Sequence, residues 1–179
     1  MSDFQLMPEA HHYLGIEMNQ QVWRLLAQPA RDEQEQRRLE HFALASMFHW
    51  QHSLEFQPVN AQRGHWLLSR VYAVLERGEE SVVHAMHCFE LTQQLSLRGF
   101  DLAYAHEALA RAQAAAGDPV AAARHYEDAL QAADEISGPQ DQKHFLDDLK
   151  SPPWFEAENE REPGISGNTW RGNVAVSSA

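Results

Sequence analysis

Apolar residues in this chain recur three and four positions apart in one segment after another, and the segments are separated by short runs of Pro, Gly and acidic residues. That period is helical. Pro8 with Glu9 opens a first helix whose apolar set Tyr13, Ile16, Val22, Trp23 and Leu26 runs to about Ala27, before Pro29. Asp32 with Glu35 three residues on reads as a capping box for a second helix, carrying Leu39, Phe42, Leu44, Met47, Phe48 and Leu54 up to Pro58. Asn60 is the expected cap of the third, with Trp66, Leu67, Val71, Val74 and Leu75, closed by Gly78. Glu79 and Glu80 start the fourth, with Val82, Val83, Met86, Phe89 and Leu91, ending near Gly99. Asp101 is expected to cap the fifth helix, Gly117 to end it, and Asp118-Pro119 to open a sixth with Ala122, Tyr126 and Ala129 on one face. After Gly138-Pro139 a seventh runs to about Lys150, where Ser151-Pro152-Pro153 stops it.

No segment sustains the strict alternation of a strand, so the expectation is an all-α fold of about three helical hairpins plus a short final helix. Sliding the chain against itself by 41 residues aligns His65 with His106, Leu68 with Leu109, Arg70 with Arg111, Ala73 with Ala114 and His84 with His125. The same offset aligns Ser69 with Ala110, Ser81 with Ala122 and Cys88 with Ala129, small residues where packed helices approach closely.

Residues 101 to 134 resemble a tetratricopeptide repeat, with Leu109, Ala110, Gly117, Ala122, Tyr126 and Ala129 on its signature positions. His106 stands where that repeat has tryptophan, and Gln113 where it has an aromatic residue. The opening MPEAHHY, the SRVYA of residues 69 to 73, the FDLAYAHEALARA of residues 100 to 112 and the late DLKSPPW are similar to a group of uncharacterised bacterial helical proteins. Both resemblances imply stacked helical hairpins, and the first implies a concave binding surface. The expected division is a tetratricopeptide-like domain over 1–155, with Trp154 and Phe155 folding back over the last hairpin, and a polar, Gly-rich tail over 156–179.

Charge narrows the partners. The 179 residues include 26 acidic against 14 basic side chains, a net charge of -12, which is the wrong sign for binding nucleic-acid phosphates. No apolar run approaches the roughly 18 to 20 residues of a spanning helix, so no membrane attachment is expected. The N-terminal segment lacks the basic and apolar regions of a signal peptide, and the single Cys88 fits a reducing cytoplasm.

If the hairpins stack, residues spaced three and four apart on the first helix of each project together. In the fifth helix these are Tyr104, Glu107 and Arg111, and in the third Arg63, Trp66 and Arg70. Arginines fork carboxylates and aromatic residues anchor contacts, so these six form a candidate groove for a protein or peptide ligand. There the arginines serve a partner more than the fold. The structural alternative is that Trp66 is core and the arginines pair with the surplus of Asp and Glu. Eleven histidines raise a second possibility, a metal-binding protein or metal-dependent enzyme, with His49 and His52, or His84, His87 and Cys88, as helix-borne ligands. No HExxH, glycine-rich phosphate loop or nucleophile elbow occurs, and Cys88 lies in an apolar face. The leading expectation is a non-enzymatic binding module without metal or cofactor, in which self-association to a homo-oligomer is a further partner mode.

Overall fold

The computed structural model describes residues 8–154, and the tail assigned to 156–179 lies outside them, as does Phe155. Within the described residues the protein is all-helical: α1 (Pro8–Leu26), α2 (Glu33–Gln51), α3 (Pro58–Val74), α4 (Gly78–Gln94), α5 (Phe100–Ala115), α6 (Pro119–Ala133) and α7 (Pro139–Lys150). The starts of α1 at Pro8 and α7 at Pro139 follow the reading of the chain, and two more are capped by the side chains it names. Asp32 and Glu35 complete a reciprocal capping box, and the Asp118 carboxylate accepts the Ala121 N–H at 2.9 Å. Other ends differ. α3 begins at Pro58 rather than after Asn60, which sits within the first turn and accepts the Gln57 N–H at 2.6 Å. α5 begins at Phe100 behind Gly99, and Asp101 in its first turn pairs with Arg63 instead of capping. α2 stops at Gln51, leaving Leu54 exposed in a turn, and α4 stops five residues short of Gly99.

Each helix packs on its neighbours in sequence, giving hairpins α1/α2, α3/α4 and α5/α6. α3 also meets α5, and α7 lies on α5 and α6. Three apolar clusters result. Val22, Leu39, Ala43, Leu68 and Val71 join α1, α2 and α3; Ala85, Ala108, Leu109 and Ala112 join α4 to α5; Tyr104, Ala129, Phe145 and Leu149 join α5, α6 and α7. Trp66 packs against all three. Leu109 therefore belongs to the α4 side of α5, whereas Ala122, Ala129 and the half-buried Tyr126 belong to α6.

The 41-residue offset reappears in the backbone. The α3–α4 turn places Glu76 at φ 59° and the α5–α6 turn places Gly117 at φ 83°, equivalent positions under that shift. The small pairs Ser69/Ala110, Ser81/Ala122 and Cys88/Ala129 are all buried. Gly78 does not close α3 but opens α4, and a Cβ there would lie 2.5 Å from the Ala115 carbonyl oxygen. The glycine lets the starts of α4 and the end of α5 touch.

Candidate functional site

A groove of about 610 Å³ opens between α1, α3, α5 and α7, with the C-terminal half of α2 contributing to one side. On α1 it is lined by Ile16, Asn19, Gln20 and Trp23, spaced so that they share one helical face. Met47 and Trp50 come from α2, and Gly15 makes room for the latter, since a Cβ on it would stand 3.0 Å from the Trp50 ring. The Ser46 hydroxyl holds this helix pair by donating to the Gly15 carbonyl at 2.8 Å. Ile16, Trp23 and Phe100 remain more than a third exposed around the opening, so its rim is apolar.

Three of the six residues expected in the groove line it: Arg63, Trp66 and Tyr104. Arg63 donates to Asp101 through Nε at 3.0 Å and Nη2 at 3.3 Å, with more than half of its side chain in solvent. Gln62, fully buried yet part of the lining, donates through Nε2 to Thr92 Oγ1 at 3.0 Å and to Cys88 Sγ at 3.3 Å. Its Oε1 has no hydrogen-bond partner among the described residues, so the groove contains one unmatched buried acceptor.

The other three lie behind the groove. Glu107 is fully buried and receives Trp66 Nε1 at 2.9 Å, Arg70 Nη1 at 3.3 Å and Arg111 Nε. Burial pushes this carboxyl up, but Arg111 and Arg70, with the Arg111 and Trp66 hydrogen bonds, outweigh it and hold the pKa below the usual range. Arg111 donates onward to the Asp148 carbonyl at 2.7 Å and the Pro153 carbonyl at 3.1 Å, and Trp154 stacks 4.4 Å beneath its guanidinium. Arg70 and Arg111 correct the expectation that the arginines serve a partner more than the fold, since both are largely buried and paired with Glu107. The spacing does bring all six together, but the α7 end and residues 151–154 cover the far side. Trp154 folds back as expected, its ring edge on Tyr126 and its Nε1 donating to the Leu149 carbonyl at 3.2 Å. Tyr104 joins α5 to α7 by donating to Asp148 Oδ2 at 2.8 Å, and burial, then Asp148, raises its pKa.

The sequence missed the α1 and α2 contributions and Gln62, Phe100, Asp101, His144 and Asp148. A signal for α1 existed: Ile16, Asn19, Gln20 and Trp23 have the spacing used for α3 and α5, with polar residues interrupting an apolar face.

The histidines pair between the two helices of one hairpin rather than along single helices. His49 Nδ1 lies 2.9 Å from His11 Nδ1, and His84 Nδ1 lies 2.9 Å from His65 Nδ1. His65 is held down to about pKa 4 by burial and then by His84 and His87. Cys88 faces the opposite way from a ligand role: it is buried beside Gln62 and Thr92, and burial pushes its thiol up to about 12. The expected His84, His87 and Cys88 set does not converge. Among the described residues, the group of three whose ligand atoms come within 4.8 Å of one another is His106, His125 and Asp128.

No helix among the described residues is long and apolar enough to cross a membrane. Comparison with protein-family models, with curated proteins and with solved structures returned no match.

Proposed function

We propose that this chain is a non-enzymatic, tetratricopeptide-like adaptor of the cytoplasm that binds an extended peptide segment of a protein partner, with a large apolar or aromatic side chain of that segment seated in the groove. The observation that carries this reading is the opening itself, about 610 Å³ in volume and rimmed by exposed Ile16, Trp23 and Phe100. That size falls in the range of about 300 to 1,000 Å³ typical of ligand pockets. Apolar walls supply most of the affinity in such a site, and a few fixed polar groups set orientation. Here the exposed guanidinium of Arg63 would donate to a backbone carbonyl or a terminal carboxylate. Glu107, Arg70 and Arg111 serve the site from behind, because their ion pairs fix Trp66 and join α3 to α5.

Selection of a random peptide library on the full chain tests the proposal. Enriched peptides should share an aromatic or large aliphatic residue, and by fluorescence anisotropy Phe100→Ala and Trp23→Ala should weaken them by about tenfold or more. Both side chains also pack on the body, Trp23 on Trp66 and Phe100 on Tyr104, so binding is compared at a temperature well below the melting point of each variant. Failure to enrich a peptide family, or peptides that bind the two variants as they bind the parent, would overturn the reading.

A further inference from the structure

Where α5 faces α6, the third hairpin holds three ligand-bearing side chains that the groove does not use. We propose that His106 Nδ1, His125 Nδ1 and Asp128 Oδ2 bind a divalent cation of the zinc class, with solvent as its fourth ligand. The Asp128 oxygen lies 3.6 Å from His125 Nδ1 and 3.8 Å from His106 Nδ1, and the three ligand atoms all lie within 4.8 Å of one another. Tetrahedral zinc at about 2.0 to 2.1 Å from each ligand sets ligand–ligand edges of about 3.4 Å. The two carboxylate edges need to contract by only a few tenths of an ångström to reach that geometry, and the His106–His125 edge, within 4.8 Å, closes by rotation of the two rings.

Both imidazole Nδ1 atoms are buried and without a hydrogen-bond partner among the described residues. Their separations from Asp128 exceed hydrogen-bonding distance, so the carboxylate does not satisfy them directly. Buried polar atoms are rarely left so, and two facing one carboxylate form a ligand set rather than a hydrogen-bonded network. The donor chemistry selects the ion. Two imidazoles with one carboxylate suit zinc, cobalt or nickel, whereas calcium and magnesium require mainly oxygen and copper(I) prefers sulfur. Asp128 is more than a third exposed, which leaves a side open to solvent, while Phe89 packs its ring against His106 at 5.1 Å and fixes that ligand from behind.

The preceding hairpin shows what distinguishes this arrangement. Shifted by 41 residues, the same three positions are His65, His84 and His87. There the two Nδ1 atoms are 2.9 Å apart and engage each other, and the His87 ring lies 5.0 Å from that of His65 with its Nδ1 3.6 Å from Glu90. One copy of the framework is closed by its own hydrogen bond. In the other, a carboxylate takes the third position and both imidazole nitrogens face it.

Calorimetric titration of the untagged full chain with Zn²⁺ alone, alongside imidazole-nitrogen NMR, tests the proposal. One equivalent should bind, shifting the Nδ1 resonances of His106 and His125 together, and Asp128→Asn should raise Kd by at least about tenfold. His65→Gln should leave the affinity as it was. Should Asp128→Asn fail to fold, His125→Gln takes its place, and the NMR of the unaltered chain decides independently of either. The proposal is overturned by the absence of stoichiometric binding, by shifts confined to the other histidines, or by an affinity that survives loss of Asp128.

Discussion

At the scale of single residues, the decisive fact is that one buried carboxylate satisfies two arginines and an indole. Glu107 has no contact with water, so its charge is tolerable only because Arg70 and Arg111 neutralise it and Trp66 donates to it. Removing the anion strands the cations. Glu107→Gln should therefore cost about 3 to 5 kcal/mol in urea unfolding at neutral pH, and a loss below about 1 kcal/mol would mean that water already screens the site. His65 gives a second residue-scale prediction, with a defined sign. Its folded pKa is about 4, while the unfolded value is about 6.5, so between those limits the unfolded chain binds more protons. The stability contributed by neutral His65 is present above pH 6.5 and is lost as pH falls towards 4. Burial also lowers His49, His84, His106 and His125, so the whole protein should weaken in the same direction. Because the His65 ring is partly solvated, the screened contribution is about 1 to 2 kcal/mol, and His65→Gln should flatten the stability profile between pH 7 and 4.5 by that amount. Parallel profiles for the two proteins would remove His65 as a cause.

At the scale of elements, the two equivalent hairpin turns solve one problem with different residues. Gly117 takes φ 83° without steric penalty, whereas Glu76 takes φ 59° with a Cβ. Glu76→Gly should stabilise the α3–α4 turn by up to about 1 kcal/mol, and Gly117→Ala should destabilise the α5–α6 turn by about 1 kcal/mol or more. Thermal melts of the pair check the contrast, and effects of the same sign would rule out backbone strain as the cause. Gly78→Ala should be harsher than either, because its Cβ would overlap backbone atoms of Ala115 and Ala116 that cannot rotate away. Which ends were legible follows from the range of the interactions. Asp32–Glu35 and Asp118–Pro119 are read correctly because a cap is a bond between residues two or three apart. Asn60 is a local cap read one turn late, since it accepts the Gln57 N–H from the third position of the helix and does not precede it, whereas Asp101 is misplaced because its side chain goes to Arg63, 38 residues distant.

At the scale of the whole molecule, helical spacing identifies which side chains share a side but carries no information on what covers them. That is why Arg63, Trp66 and Tyr104 line the groove while Arg70, Glu107 and Arg111 are sealed behind it. The seal comes from the carbonyls of Asp148 and Pro153 and the ring of Trp154, at separations of about forty residues that no local period reports. The same limit hid α1, whose Trp23 meets Trp66 at a ring distance of 5.8 Å. Trp66 is consequently the place where the molecule's three apolar clusters join, with its indole N–H tied to Glu107. Truncating it should do more than remove one side chain's burial, which alone costs about 3 to 5 kcal/mol. Without that shared contact, the α1–α3 cluster has lost a bridge to the α5–α7 cluster, and the two should open separately. In native-state hydrogen exchange, core amides of α2 and α5 should show the same opening free energy in the parent chain and different values in Trp66→Ala. Trp66→Phe, which retains an aromatic ring but loses the indole hydrogen bond, should keep the two values equal at a stability lower by about 1 to 3 kcal/mol. Equal opening free energies in Trp66→Ala would show that the helix ladder couples its hairpins without this residue, through the α2–α3 and α4–α5 interfaces instead.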